Sequence, residues 1–224
     1  MSRIVRTAVV FDLDGTLVDT APDLAAAMNA ALRRHGRPAL ALDSVRHMVG
    51  DGARKLLIRG FESTGGMPGD DAVADAVQHF MDYYGENISA GSLAFPGLLS
   101  TLATLRQRGC VFGVCTNKFE GFSRKLLADL GIIDHFAAIV GGDTLTVRKP
   151  DPAHIVATVE RMGARMESAV MVGDSSNDVR AARAAGVPVV AVSFGYTAVP
   201  ARELGADQVI DSLGELPAVL ARLA

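Results

Sequence analysis

The chain has 224 residues, 49% of them apolar, with 25 acidic against 22 basic side chains and a formal net charge of −3. That much apolar sequence suffices for a packed core and excludes disorder as the main state; charges this balanced, without like-charge runs, argue against nucleic acid and anionic membrane as partners. No stretch reaches the roughly 18 to 20 apolar residues of a membrane span, and the run Ala8 to Phe11 is too short for a secretory leader, so a cytoplasmic location is expected.

In chain order, apolar runs rich in Val and Ile fall at Thr7 to Phe11, Val111 to Cys115, Ala137 to Val140, Ala169 to Val172, Val187 to Val192 and Gln208 to Ile210. Continuous apolar runs suit strands covered on both faces, hence a parallel sheet. Helical segments lie between the later runs: Leu98 to Arg108, Gly121 to Leu130, Pro152 to Met162 and Asn177 to Ala185. Each is followed by Gly, the residue that closes a helix in the left-handed conformation at least cost. The alternation predicts a doubly wound, Rossmann-like α/β core.

One interval breaks the alternation. About 80 residues between the first strand and Leu98 carry no convincing strand. They do carry amphipathic helical patterns: Leu24, Ala27, Met28, Ala31 and Leu32 on one face, then Ser44 to Met48, Ala53 to Phe61, and Val73, Ala76, Val77, Phe80, Met81 and Tyr84. An insertion at the carboxyl end of the first strand lies where such sheets bind ligands. It is read as an all-helical cap, residues 19–92, over a core of residues 1–18 and 93–224. The cap is expected to move on linkers near Val18 to Ala21 and Gly91 to Pro96, because a site that excludes water yet admits substrate needs a lid.

Asp12-Leu13-Asp14-Gly15-Thr16 directly follows the first strand. Residues two apart in extended chain point the same way, and Gly15 permits a tight turn. Two carboxylates there can hold a hard cation, or serve as nucleophile and acid/base. Thr116-Asn117 follows the second run and offers a hydroxyl and an amide for phosphate oxygens. Lys149 offers a fixed cation for charge developing in a phosphoryl transition state. Gly173-Asp174-Ser175-Ser176-Asn177-Asp178 follows Ala169 to Val172 with two more carboxylates. Each alone has an ordinary structural explanation, but all four would converge on one sheet edge. Cys110 and Cys115 lack metal spacing and read as buried free thiols; His35, His47, His79, His135 and His154 show no ligand spacing.

In order and position these four segments resemble the motifs of the haloacid dehalogenase superfamily of phosphatases, over essentially the whole chain. The resemblance implies Asp12 as nucleophile and Asp14 as general acid and base. It implies Mg²⁺ held by Asp12, the Asp14 carbonyl and Asp174, with Thr116 and Lys149 on the phosphoryl oxygens and Asp178 orienting Lys149 or a metal-bound water. The second Asp, Asp14, disfavours a dehalogenase, whose reaction needs no leaving-group acid.

Asp19 to Leu24, Val49 to Ala53, Gly141 to Leu145 with Arg148 to Pro152, and Gly195-Tyr196 look most like bacterial phosphoglycolate phosphatases. The implied substrate is a small phosphate monoester, 2-phosphoglycolate first. Asp51 stands where Asn or His is common and Ser176 where Arg is common; an acidic Asp51 facing the site would oppose a carboxylated substrate. Arg54, just after Gly52, is the candidate to grip that carboxylate in a bidentate pair. A broad-specificity or sugar-phosphate phosphatase, a phosphosugar mutase and a phosphoaspartyl receiver remain as alternatives, the receiver being about half this length. Monomer and homodimer are both open.

Overall fold

The computed structural model describes residues 7–223. Its strands are β1 (Ala8–Phe11), β2 (Val18–Asp19), β3 (Leu93–Ala94), β4 (Val111–Cys115), β5 (Ala138–Val140), β6 (Ala169–Gly173), β7 (Val189–Val192) and β8 (Gln208–Ile210). Six form one parallel sheet in the order β5-β4-β1-β6-β7-β8. Both faces are covered: Val9 and Phe11 enter one apolar cluster, Ala8 and Val10 the other, as the two-residue period of a strand requires. The expected run from Val187 begins pairing as a strand only at Val189, since Pro188 has no N–H to donate and contributes its carbonyl to Met171.

The helices are α1 (Ala21–Arg34), α2 (Leu42–Arg46), α3 (Ala53–Ser63), α4 (Asp70–Glu86), α5 (Leu98–Gln107), α6 (Glu120–Asp129), α7 (Ala153–Arg161), α8 (Ser176–Ala185) and α9 (Leu216–Leu223). α5 to α8 match the expected segments to within one or two residues, and Gly186 closes α8 at φ 70°. α1 to α4 form the cap. Leu24, Ala27, Met28, Ala31 and Leu32 of α1 are buried, as are Val73, Ala76, Phe80 and Tyr84 of α4; these stripes make an apolar interior continuous with that under one face of the sheet.

The interval read as free of strands contains β2 and β3. They pair antiparallel, Val18 with Ala94 and Asp19 with Leu93, where the chain leaves and re-enters the core. Two-residue strands are too short to show a period, so only their meeting in space reveals them. The buried Asp23 carboxylate fastens the same crossing, accepting the N–H of Gly91 and of Ser92 at 2.8 Å each and the Ser92 hydroxyl at 2.6 Å.

Candidate active site

The order of strands reverses at β1, which lies between β4 and β6. In open parallel sheets this is where the loops diverge and leave a crevice at the carboxyl ends. Phe11 pairs in register with Val114 and with Val172. Asp12, Thr116 and Asp174 therefore leave the sheet at one edge, as expected. The loop containing Lys149 brings its Nζ to 2.9 Å from Asp12 Oδ1 and 2.6 Å from Asp178 Oδ1. One carboxylate oxygen each from Asp12, Asp174 and Asp178 lies within 4.8 Å of the others.

Each of these groups is buried and held. Asp12 Oδ1 accepts the Leu13 N–H at 2.7 Å as well as the Lys149 contact, so its hydrogen bonds converge on one oxygen and leave Oδ2 open. Asp178 Oδ2 accepts the Ser175 N–H at 3.0 Å and hydroxyl at 2.6 Å, capping α8 while Oδ1 orients Lys149. Asp174 Oδ2 accepts the Tyr196 N–H at 2.6 Å. A Cβ at Gly15, which sits at φ 80°, or at Gly195 would collide with the Asp174 carboxylate, so both positions require glycine. Asp14 lies toward the cap, its Oδ1 accepting the Thr20 hydroxyl at 2.7 Å and Lys118 Nζ at 2.8 Å. Thr16 is buried with an unpartnered hydroxyl.

Three carboxylates lie together with one ammonium, which pairs with Asp12 and Asp178. Burial pushes the Asp12 carboxyl up to about 7 against the pull of Lys149, with the charge of Asp178 adding to the rise. Asp174 is raised well above the carboxylate range by burial and then by the charges of Asp12 and Asp178. Burial alone would lower Lys149, but Asp12 and Asp178 outweigh it and hold the ammonium charged. Such a cluster fits a divalent cation: oxygen donors converge, and negative charge remains uncompensated.

The cap side of the crevice is mostly apolar, lined by Leu24, Val49, Leu56, Phe80, Met81 and Tyr84 with Gly52 at its edge. Thr116 lines it from the core, and its Oγ1 accepts the Lys118 N–H at 3.2 Å, leaving the hydroxyl proton to donate. Asn117 donates its two amide protons to the carbonyls of Gly50, 3.0 Å, and Lys149, 3.1 Å; its side chain ties the cap loop to the core instead of pointing N–H groups at a phosphate. Arg54 is exposed and does not line the crevice. Asp51 is turned to the core, where Asn177 donates to it at 3.0 Å, and Arg59 pairs with it. Its charge is thereby compensated. Sequence reasoning assigned no part to Lys118, buried and ion-paired inside the crevice, or to Tyr196, whose hydroxyl donates to Asp19 at 2.6 Å. The one available signal for each was position: Lys118 directly follows Thr116-Asn117, and Tyr196 follows Gly195.

Residues 9–192 match the haloacid dehalogenase-like hydrolase family model. The chain is 46% identical over 209 residues to a phosphoglycolate phosphatase of Caulobacter vibrioides, covering 93% of this chain and 88% of that one. It is 41% identical over 223 residues to a phosphoglycolate phosphatase of Agrobacterium fabrum, covering 99% and 96%. Its fold superposes on the crystal structure of a predicted phosphoglycolate phosphatase from Haemophilus somnus 129PT with a TM-score of 0.90 at 31% identity, covering 96% of this chain and 97% of the other.

Proposed function

We infer the reaction from one premise: this chain belongs to the haloacid dehalogenase-like hydrolase family. It is a phosphoric monoester hydrolase, and the substrate is 2-phosphoglycolate, cleaved to glycolate and phosphate. The relatives of known name support that substrate. The observation that carries the reaction is the cluster of the Asp12, Asp174 and Asp178 carboxylates at the carboxyl edge of the sheet, with the Lys149 ammonium paired to Asp12 and Asp178.

In this reading Asp12 Oδ2 attacks phosphorus in line while the bond from phosphorus to the ester oxygen breaks. Asp14 gives its proton to that departing oxygen, then takes one from the water that attacks the aspartyl-phosphate and releases Asp12. Lys149, with the Thr116 hydroxyl, compensates charge on the equatorial phosphoryl oxygens, which is most of what phosphoryl transfer asks of a protein. Asp178 acts on Lys149 by holding its direction. Asp12 and Asp174, with the Asp14 carbonyl, would hold Mg²⁺. When bound, that ion relieves the repulsion between the anionic nucleophile and the anionic phosphate. A helix-lined cap over the crevice excludes water from the reacting atoms.

Among the described residues no helix is long and apolar enough to cross a membrane; with a small water-soluble ester as substrate, action in the cytoplasm belongs to the same proposal. The test is phosphate release from a panel of monoesters by wild type and Asp12→Asn, with and without Mg²⁺. Selective, Mg²⁺-dependent hydrolysis of phosphoglycolate that the substitution abolishes is the expected result. Flat activity across the panel would retain the reaction and discard the substrate, and transfer between sugar phosphates without phosphate release would replace hydrolysis by a mutase.

A further inference from the structure

A phosphoglycolate ester carries a carboxylate whose carbon is two bonds from the oxygen that leaves. Whatever recognises it must sit beside the group that protonates that oxygen. Arg54, chosen from sequence for this part, is exposed and off the crevice wall. Lys149, already on two carboxylates and assigned to the phosphoryl oxygens, is not among the residues that line this crevice. Among the described residues the one basic side chain lining the crevice is Lys118.

Lys118 is positioned from the core. It follows Thr116-Asn117 at the end of β4, and only 5% of its side chain is exposed. Its Nζ is 2.8 Å from Asp14 Oδ1 and 4.6 Å from the centre of the Tyr84 ring. An ammonium has three donors, and Asp14 is the only carboxylate paired with this one among the described residues. A second feature is Tyr84 beside it. Its hydroxyl is buried in the same crevice with its oxygen toward the Lys118 ammonium and no acceptor for its proton, and a buried donor without an acceptor is costly unless a ligand completes it. Burial pushes this phenol up to about 12, so it stays a donor.

We propose that Lys118 is the residue that selects for a carboxylated ester: one of its donors holds Asp14 while another takes the substrate's carboxylate, with the Tyr84 hydroxyl as a further donor to the same group. The arrangement ties recognition to the acid. Only an ester whose carboxylate lies two bonds from the leaving oxygen spans from Lys118 to the proton held on Asp14. The apolar cap walls then serve to desolvate this charge pair, which strengthens it.

The proposal rests on the phosphoglycolate reading, and the experiment separates the two. Steady-state kcat/KM is measured for 2-phosphoglycolate, for ethyl phosphate, which lacks the carboxylate, and for the phosphate ester of 3-hydroxypropionate, which sets it one methylene further away. Wild type should prefer phosphoglycolate over both. In Lys118→Met the ratio of phosphoglycolate to ethyl phosphate should fall by about 100-fold, because any loss from disturbing Asp14 is common to both esters and cancels. Tyr84→Phe should lower the same ratio by roughly 3- to 10-fold, mainly through KM. A ratio unchanged in Lys118→Met would overturn the proposal and leave the substrate reading intact. Equal use of all three esters by wild type would overturn both. Should Lys118→Met fail to fold, wild-type preference for phosphoglycolate over the longer ester supports the placement beside Asp14, and its absence refutes it.

Discussion

The core and the cap face the same crevice with opposite chemistry. On the core side the carboxylates are each held by several groups: Asp178 serves Lys149 and Ser175 at once, and Asp174 is held between Gly15, Gly195 and the Tyr196 amide. On the cap side the wall is aliphatic and aromatic, and its attachment to the core site runs through hydrogen bonds at Gly50 and Asp51, from Thr20 to Asp14 and between Tyr196 and Asp19. The charged groups of the reaction stand on the core, and the cap contributes apolar wall.

Substitutions on the core side should therefore stop the chemistry, and those on the cap side should modulate it. The largest effect is expected for Asp12→Asn, with phosphate release falling on the order of 10⁴-fold or more while thermal unfolding shows a fold at least as stable as wild type, because one of three crowded carboxylates is gone. Lys149→Met should reduce kcat by about 10²- to 10³-fold. It should also cost roughly 3–5 kcal/mol in urea unfolding, since it strands the buried Asp12 and Asp178 charges. If that variant proved fully stable, the ion cluster would not be structurally coupled to the core. Mg²⁺ at about a hundredfold excess over its Kd should stabilise the protein by about 2.7 kcal/mol, read as a rise in Tm that chelation reverses and Asp174→Ala abolishes.

Changes to the contacts that hold the cap to the core should be milder. Asn177→Ala removes the donor to Asp51 and weakens the hold on Gly50; kcat/KM should shift by about 3- to 10-fold with Tm little altered. The smallest effect concerns pH. Burial would raise Asp51, but the hydrogen bonds from Asn177 and Arg59 prevail and hold its carboxyl below the usual value. A depressed folded-state pKa gives stability that is present above the unfolded value and lost as pH falls through the folded one. The Tm difference between wild type and Asp51→Asn should thus be present at pH 7 and vanish in acid below Asp51's lowered pKa. A difference that persisted there would assign it to shape and not to charge.

The same contrast governs how much could be read before the fold was known. Strands β1, β4 and β6 are apolar on every residue because both faces are covered, and the chemical motifs follow each directly, so Asp12, Thr116 and Asp174 were legible as one edge. The helical stripes of α1 and α4 were equally plain. What escaped depended on pairs distant in sequence. Tyr196 meets Asp19 across 177 positions, and Lys118 meets Asp14 across 104. A lysine after Thr-Asn reads as a solvated charge until the cap is folded over it. α9 also passed unread. Arg54 was favoured for its nearness to Gly52, yet its position on α3 turns it to solvent.

The β2–β3 ribbon is where the two regions exchange force. It pairs only two residues on each side, and α4 alone spans 17 residues, roughly 25 Å at the rise of an α-helix. The ribbon is thus a fulcrum under a long lever: a tilt of about 10° carries the tip of such an arm by roughly 4 Å. The bonds on the Gly50 carbonyl, at 3.0 and 3.4 Å, fail after a stretch of less than about 1 Å. A torsion at Val18 would reach the catalytic loop directly, since the Val18 carbonyl accepts the Gly15 N–H at 3.0 Å and Val18 bridges to Asp14: the hinge and the residue that carries the proton share one stretch of backbone.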